Sequence, residues 1–357
     1  MLIHTYRYKY LLKIWADHRY VFPCITVLTD VNSDKRGAEL ETFVHSRKDE
    51  KLIDPYGRHV NSLRLSLTQR CNFNCFFCHK EGESNPRGEI TVDEVEAIAA
   101  VAAELGVRRF KLTGGEPLLR KDVVELVQRI ASYADEVSMT TNGSLLEKRA
   151  LDLRSAGLRR VNVSLHSRRA DVFKRITECD ILSNVEGGIR AAVDAGLEPV
   201  KINMVVLGGL NEGEVPDMLE FSKEMGAILQ LIEFQPLERG FDSWGGYYYD
   251  LQPLEKMLEA RSDSVYEREL QRRRQYHLEG GGIVEVVRPM HNSNFCRSCT
   301  RLRVTSDGRL KPCLMRNDNL VEASSLLRHE ATRTDLVDAF REAVAKRQPY
   351  WREKLGG

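Results

Sequence analysis

Leu63-Arg64-Leu65-Ser66-Leu67-Thr68-Gln69-Arg70 runs directly into Cys71-Asn72-Phe73-Asn74-Cys75-Phe76-Phe77-Cys78, and the reading of the whole chain turns on this stretch. Its first half alternates apolar and polar residues, the pattern of a strand with two different faces. Its second half places three cysteines at C-x3-C-x2-C on the loop that follows. Three thiolates at that spacing can hold three irons of a 4Fe-4S cluster, which ordinarily takes four cysteines, so one iron would stay open to a small molecule. The alternative is zinc, but a structural zinc usually takes four protein ligands, and the nearest fourth candidate, His79, adjoins Cys78 and has poor reach.

Outward from this stretch, apolar strands are predicted at 63–68, 109–113, 136–141, 160–165, 200–206 and 229–235. They alternate with amphipathic helical segments at 91–105, 121–133, 145–156, 183–195 and 212–225. Thr91, with Glu94 three residues on, reads as a capping box. Six βα repeats predict an α/β fold, an incomplete (βα)6 TIM-like barrel, whose chemistry belongs at the carboxyl ends of the strands. The cysteine triplet follows the first strand, Gly114-Gly115-Glu116 the second and Thr141-Asn142-Gly143 the third, while Ser164 closes the fourth. After Pro236 the repeat breaks down. The expected organisation is an N-terminal extension over 1–51, the partial barrel over 52–237, and a C-terminal domain over 238–357. For the extension, disorder and a later translation start are both open.

The 357 residues, 42% hydrophobic and 29% charged, can bury a sizeable core. Lysine plus arginine (53) nearly balance aspartate plus glutamate (52), so no global field points to nucleic acid or an anionic membrane. The apolar stretch at 20–29 contains Pro23 and falls short of the roughly 18 residues of a spanning helix. With a poor signal-peptide pattern as well, a cytoplasmic protein is expected, with no membrane and no nucleic-acid partner. Cys24 and Cys179 read as incidental thiols.

A second group, Cys296, Cys299 and Cys313, reads C-x2-C-x13-C. Again three ligands point to a 4Fe-4S cluster with an open iron, against a zinc knuckle completed by His291. Between these cysteines, Thr300-Arg301-Leu302-Arg303-Val304-Thr305 is a strand that would project Arg301 and Arg303 to one side. Two guanidiniums on one face suit a polyphosphate; an exposed, solvated strand face is the other reading.

Together these motifs resemble the radical SAM superfamily, and the second cysteine group with Arg-x-Arg narrows the resemblance to its GTP 3',8-cyclase family. The likeness runs from about Leu52 to the last residue. It implies two 4Fe-4S clusters and S-adenosylmethionine (SAM) as cofactors. Cys71, Cys75 and Cys78 would hold the first cluster, and Cys296, Cys299 and Cys313 the second. Phe77, Gly115, Glu116, Asn142, Ser164 and Gln235 match positions that meet SAM. Arg64, Lys111, Thr140, Lys201, Arg301, Leu302 (through its backbone) and Arg303 match positions around GTP. Gly356 and Gly357 resemble a terminal pair that enters the active site, with Arg301 and Arg303 beside it as catalytic groups.

The implied reaction is reductive SAM cleavage, abstraction of the 3' hydrogen of GTP by the deoxyadenosyl radical, and closure onto C8 to 3',8-cyclo-7,8-dihydro-GTP. This is the first step of molybdenum cofactor biosynthesis. A reductant protein, a downstream cyclic pyranopterin monophosphate synthase and a homodimer are expected from the same resemblance. His166, Thr300 and Gln235 depart from the family's commoner aspartate, asparagine and methionine. Lys111 and Lys201 sit inside apolar strands, where an unpaired ammonium would be costly unless a phosphate met it.

Overall fold

The six apolar runs form strands in the expected order: β1 (Ser62–Ser66), β2 (Arg109–Thr113), β3 (Glu136–Thr141), β4 (Leu158–Ser164), β5 (Lys201–Val206) and β6 (Ile228–Glu233). The structure is a computed structural model that describes residues 51–83, 86–328 and 332–351. Residues 1–50 of the expected extension and the terminal Gly356-Gly357 lie outside these. Each of the six strands pairs in parallel with the next. Helices α1 (Val92–Glu104), α2 (Val123–Ala131), α3 (Ala150–Ser155), α4 (Ala170–Thr177), α5 (Leu182–Asp194) and α6 (Val215–Glu224) lie in the crossovers.

Alternation along the strands separates two environments. Leu63, Leu65, Phe110, Leu112, Val137 and Met139 join Val95, Ile98, Leu126 and Ile130 of the helices in one core. Burying each such side chain contributes about 1.5–3 kcal/mol, which makes the strand register costly to shift. The intervening residues, Arg64, Lys111, Thr140 and Asn162 among them, face the barrel interior.

The C-terminal segment adds β7 (Ser262–Glu267), β8 (Arg274–Leu278), β9 (Ile283–Val287), β10 (Arg301–Val304) and β11 (Leu310–Lys311). β9 pairs in parallel with β6, and β10 in parallel with β1. The sheet order is therefore β11-β10-β1-β2-β3-β4-β5-β6-β9-β8-β7, an open sheet that continues through the segment after Pro236. The two added parallel strands extend both edges of the six-stranded unit, and the connection between them carries Cys296 and Cys299.

Helix α4 has no counterpart among the expected segments. It ends on Glu178 in the left-handed conformation (φ 59°) rather than on glycine, which removed the usual stop signal. Its apolar residues Val172, Phe173 and Ile176 are nevertheless buried. The helix buttresses the first cysteine loop: Asn74 N–H donates to the Thr177 carbonyl (2.9 Å), and Phe73 meets Phe173 edge-on at 5.8 Å. Residues 145–149, expected as the start of a helix, form turns before α3. There the Gly143 carbonyl lies so close to Gly188 of α5 that a Cβ on Gly188 would collide with it.

At the start of α1 the capping box is complete, with Glu94 N–H donating to Thr91 Oγ1 (3.2 Å) and Thr91 N–H to Glu94 Oε2 (2.7 Å). Thr91→Ala is expected to cost about 1 kcal/mol, read as a lower urea midpoint at unchanged slope.

Candidate active site

Strand register lays the interior polar residues out as one surface. Arg64 of β1 lies opposite Arg303 of β10 and opposite Lys111 of β2. Further round, Thr140 pairs with Asn162, Asn162 with Lys201, Asn203 with Gln230, and Gln230 with Glu285. These residues line a single cavity of about 330 Å³ that also takes in all six cysteines of the two groups.

Cys71, Cys75 and Cys78 lie at the carboxyl end of β1, as the motif requires. Phe73 N–H donates to Cys71 Sγ (3.4 Å), and Asn142 Nδ2 lies 3.9 Å from the same sulfur. Burial pushes the Cys71 thiol up to about 11 and the Cys75 thiol higher. Bare thiolates would be costly there, and cationic iron would remove that cost. Among the described residues no three metal-ligating side chains converge on a point that one ion would fill, whereas the irons of a cluster spread their ligands apart. The donor set thus fits a three-cysteine cluster. Phe77, Gly115, Ser164 and Gln235 line the same cavity.

The second group is assembled from distant parts of the chain. Cys296 lies in a short helix, Ser293–Arg297, capped by Asn292, whose Oδ1 accepts from Phe295 N–H (3.0 Å). Asp54, buried, takes Arg58 at 2.7 Å and Arg347 at 2.9 Å. Arg58 donates to the Cys296 carbonyl (2.8 Å) and Arg347 to the Cys299 carbonyl. Burial works against the Cys299 thiolate, but Arg347 and Arg301 outweigh it and lower the pKa of this thiol. His291, the zinc alternative's fourth ligand, is outside the cavity lining, its ring packed on Trp351 at 4.2 Å.

The two interior lysines differ. Lys201, 2% exposed, is ion-paired with the fully buried Glu285, which also receives Arg268 (3.0 Å) and Gln275 (2.7 Å). The cost expected to fall on an unpaired Lys201 ammonium is thus met by a carboxylate of the chain. Burial still pushes Lys201 down to about 8 against the pull of Glu285. Lys111 forms no ion pair with a carboxylate among the described residues; its Nζ donates to Asn162 Oδ1 (2.6 Å), and burial beside Arg160 and Arg64 pushes its pKa well down. The Arg301 guanidinium likewise has no carboxylate ion pair among the described residues, and its charged form is favoured by the Cys299 thiolate. Burial, reinforced by Arg303, Arg64 and Arg273, opposes its charge. Leu302 turns its side chain into the core, so only its backbone is available at this surface.

Glu116 is placed differently from the direct SAM contact expected of it. It is 0% exposed and does not border the cavity. Its carboxylate accepts from Leu118 N–H (3.0 Å), Thr141 Oγ1–H (2.7 Å) and Asn142 N–H (2.7 Å), so it fixes the turn that presents Asn142. Gly114 and Gly115 pass so close to the backbone of Thr68 and Arg70 that no Cβ fits at either. His166, one of the departures, has a neutral ring: burial pushes it down to about 4, and its Nδ1 accepts from Val205 N–H (3.1 Å). Glu81, Glu285, Arg273, Arg58 and Arg347 carry no sequence motif and were not anticipated. Only Glu285 gave a local signal, a carboxylate set between Val284 and Val286 in an apolar run.

Over residues 65–222 the sequence matches the Radical SAM superfamily, and over 227–353 it matches Molybdenum Cofactor Synthesis C. It is 49% identical over 307 residues to a Thermococcus kodakarensis protein named probable GTP 3',8-cyclase, an overlap of 84% of this chain and 100% of that one. A Methanothermobacter thermautotrophicus protein of the same name is 48% identical, with 84% and 98% covered. Among solved structures, Streptococcus suis SuiB bound to S-adenosylmethionine is similar in fold, with a TM-score of 0.58 at 18% identity, covering 80% of this chain and 69% of that one. Motif, cavity and relatives agree that the chain belongs to the GTP 3',8-cyclase family of the radical SAM superfamily.

Proposed function

We propose that this chain converts GTP to 3',8-cyclo-7,8-dihydro-GTP, the first step of molybdenum cofactor biosynthesis. One observation carries the reading: two incomplete three-cysteine sets open onto a single cavity, with Arg301, which has no carboxylate ion pair among the described residues, beside Cys299 of the second. When bound, SAM and the first cluster supply a 5'-deoxyadenosyl radical as the hydrogen-abstracting species.

The work of the chain is positioning. Gly115, Asn142, Ser164, Gln235 and Phe77 hold SAM at the end of the cavity nearest Cys71, Cys75 and Cys78. Glu116 acts from beneath by orienting Asn142. Arg301, Arg303, Arg64 and Lys111 would take the triphosphate, with Thr140, Lys201 and the Leu302 backbone alongside, and Cys296, Cys299 and Cys313 would hold the second cluster, whose open iron would supply a site for the guanine. Holding the ribose within reach of a short-lived radical accounts for much of the rate, since orientation replaces a search by diffusion. Gly356 and Gly357 complete the site from the C-terminus. Electrons come from a reductant protein, and the product passes to a cyclic pyranopterin monophosphate synthase. The chain works as a homodimer in the cytoplasm. No helix among the described residues is long and apolar enough to cross a membrane.

Anaerobic incubation of cluster-reconstituted protein with SAM, dithionite and GTP is expected to yield 5'-deoxyadenosine and the cyclised nucleotide together, by mass spectrometry. Deoxyadenosine with unchanged GTP would sink the substrate assignment. Arg301→Ala is expected to weaken GTP binding about tenfold or more, the scale of a lost charge-assisted hydrogen bond, while SAM cleavage is largely retained. Glu116 generates a pH signature. Burial raises its carboxyl to about 7 despite its three donors, so the folded state favours the protonated form. Its contribution is present below the ordinary carboxylate range and is lost as pH rises through about 7. The stability difference between the wild type and Glu116→Gln should therefore fall between acid and mildly alkaline pH in parallel urea titrations.

A further inference from the structure

Arg64 and Arg303 reach the cavity from neighbouring strands, and a single carboxylate holds both. Glu81 Oε1 accepts from Arg64 Nη2 at 2.6 Å and Oε2 accepts from Arg303 Nη1 at 2.9 Å. Thr113 Oγ1–H donates to Oε1 at 3.0 Å. Burial alone would raise this carboxyl, but Arg64, His79 and Arg303 outweigh it. The backbone at Glu81 is left-handed (φ 54°), an uncommon state for a residue with a side chain, and Glu81 N–H donates to His79 Nδ1 (3.0 Å).

The same loop joins the two cysteine groups. It begins two residues after Cys78, at Lys80. Gly82 lies so close to Leu314, next to Cys313, that a Cβ there would collide with the Leu314 carbonyl oxygen, and Lys311 Nζ donates to the Gly82 carbonyl (2.8 Å).

We propose that Glu81 is a positioning residue for polyphosphate recognition. It clasps one edge of each guanidinium and leaves the other donors of Arg64 and Arg303 aimed at the substrate, from a loop anchored to both cysteine groups. This rests on reading the cavity as a nucleoside triphosphate site. Coulomb's law by itself gives the opposite expectation, since a carboxylate beside a phosphate site repels the ligand. The clasp prevails because two arginines held in place in advance lose little side-chain entropy when the phosphate arrives.

The test is equilibrium dialysis of GTP and of guanosine against the cluster-reconstituted full chain under anaerobic conditions. The wild type is expected to bind GTP more tightly than guanosine. Glu81→Gln is expected to weaken GTP about tenfold and guanosine less than about twofold, the scale of losing charge-assisted hydrogen bonds at the phosphates alone. Thr113→Val, which removes one donor to Glu81 without changing charge, should shift GTP in the same direction by a smaller factor; it carries the test if Glu81→Gln does not fold. Tighter GTP binding in Glu81→Gln would show that the carboxylate only competes with phosphate, and would overturn the proposal. Equal weakening of GTP and guanosine would overturn it too, because a general structural role predicts that result. A wild type that does not distinguish GTP from guanosine would instead overturn the triphosphate reading on which the proposal rests.

Discussion

Positive charge buried inside the sheet is the constraint around which this molecule is arranged. Arg64, Lys111, Lys201, Arg273, Arg301 and Arg303 all face one cavity, where taking a charge out of water is expensive unless it is paired. The fold meets most of that cost with two carboxylates. Glu285 takes Lys201, Arg268 and Arg273 at one side, and Glu81 takes Arg64 and Arg303 at the other. Lys111 and Arg301 are left without an ion-paired carboxylate among the described residues, and burial opposes the charge of both.

The same economy of ligands governs the cysteines. Each group provides three, and each is held by partners that the cavity alone would not require. Helix α4 supports the first loop through Asn74 and Phe73. Asp54, Arg58 and Arg347 pin the carbonyls of the second group from positions hundreds of residues apart in sequence or near the far end of the chain. The loop at Lys80–Gly82 then spans the two groups. The geometry between the two cysteine-bearing loops is thereby set by short, buried contacts rather than by long flexible segments, the condition under which a site holds its groups in fixed orientation.

Much of this was legible in the chain itself. The period-2 strands, their spacing and the Thr91 capping box led to six βα units, and the cysteine triplet fell at the strand end where such folds place chemistry. Arg301 and Arg303 share a face because they are two residues apart in a strand. What was misread has local causes. α4 lacked a glycine stop, the turn at 145–149 is shaped by close contact with Gly188, and Glu116, expected as a ligand, accepts from Leu118 in its own turn and from Thr141 and Asn142 at the end of β3.

The sequence by itself determined which residues point inward and which loops carry thiolates, because strand alternation and motif spacing are local properties of the chain. Only the tertiary structure decided the pairing of charges. That Lys201 meets Glu285, that Glu81 spans Arg64 and Arg303, and that β9 and β10 extend opposite edges of the sheet are contacts across large sequence separations. A buried carboxylate can stabilise any cation the fold brings within reach, so its partner is chosen by register and packing, which no local pattern records.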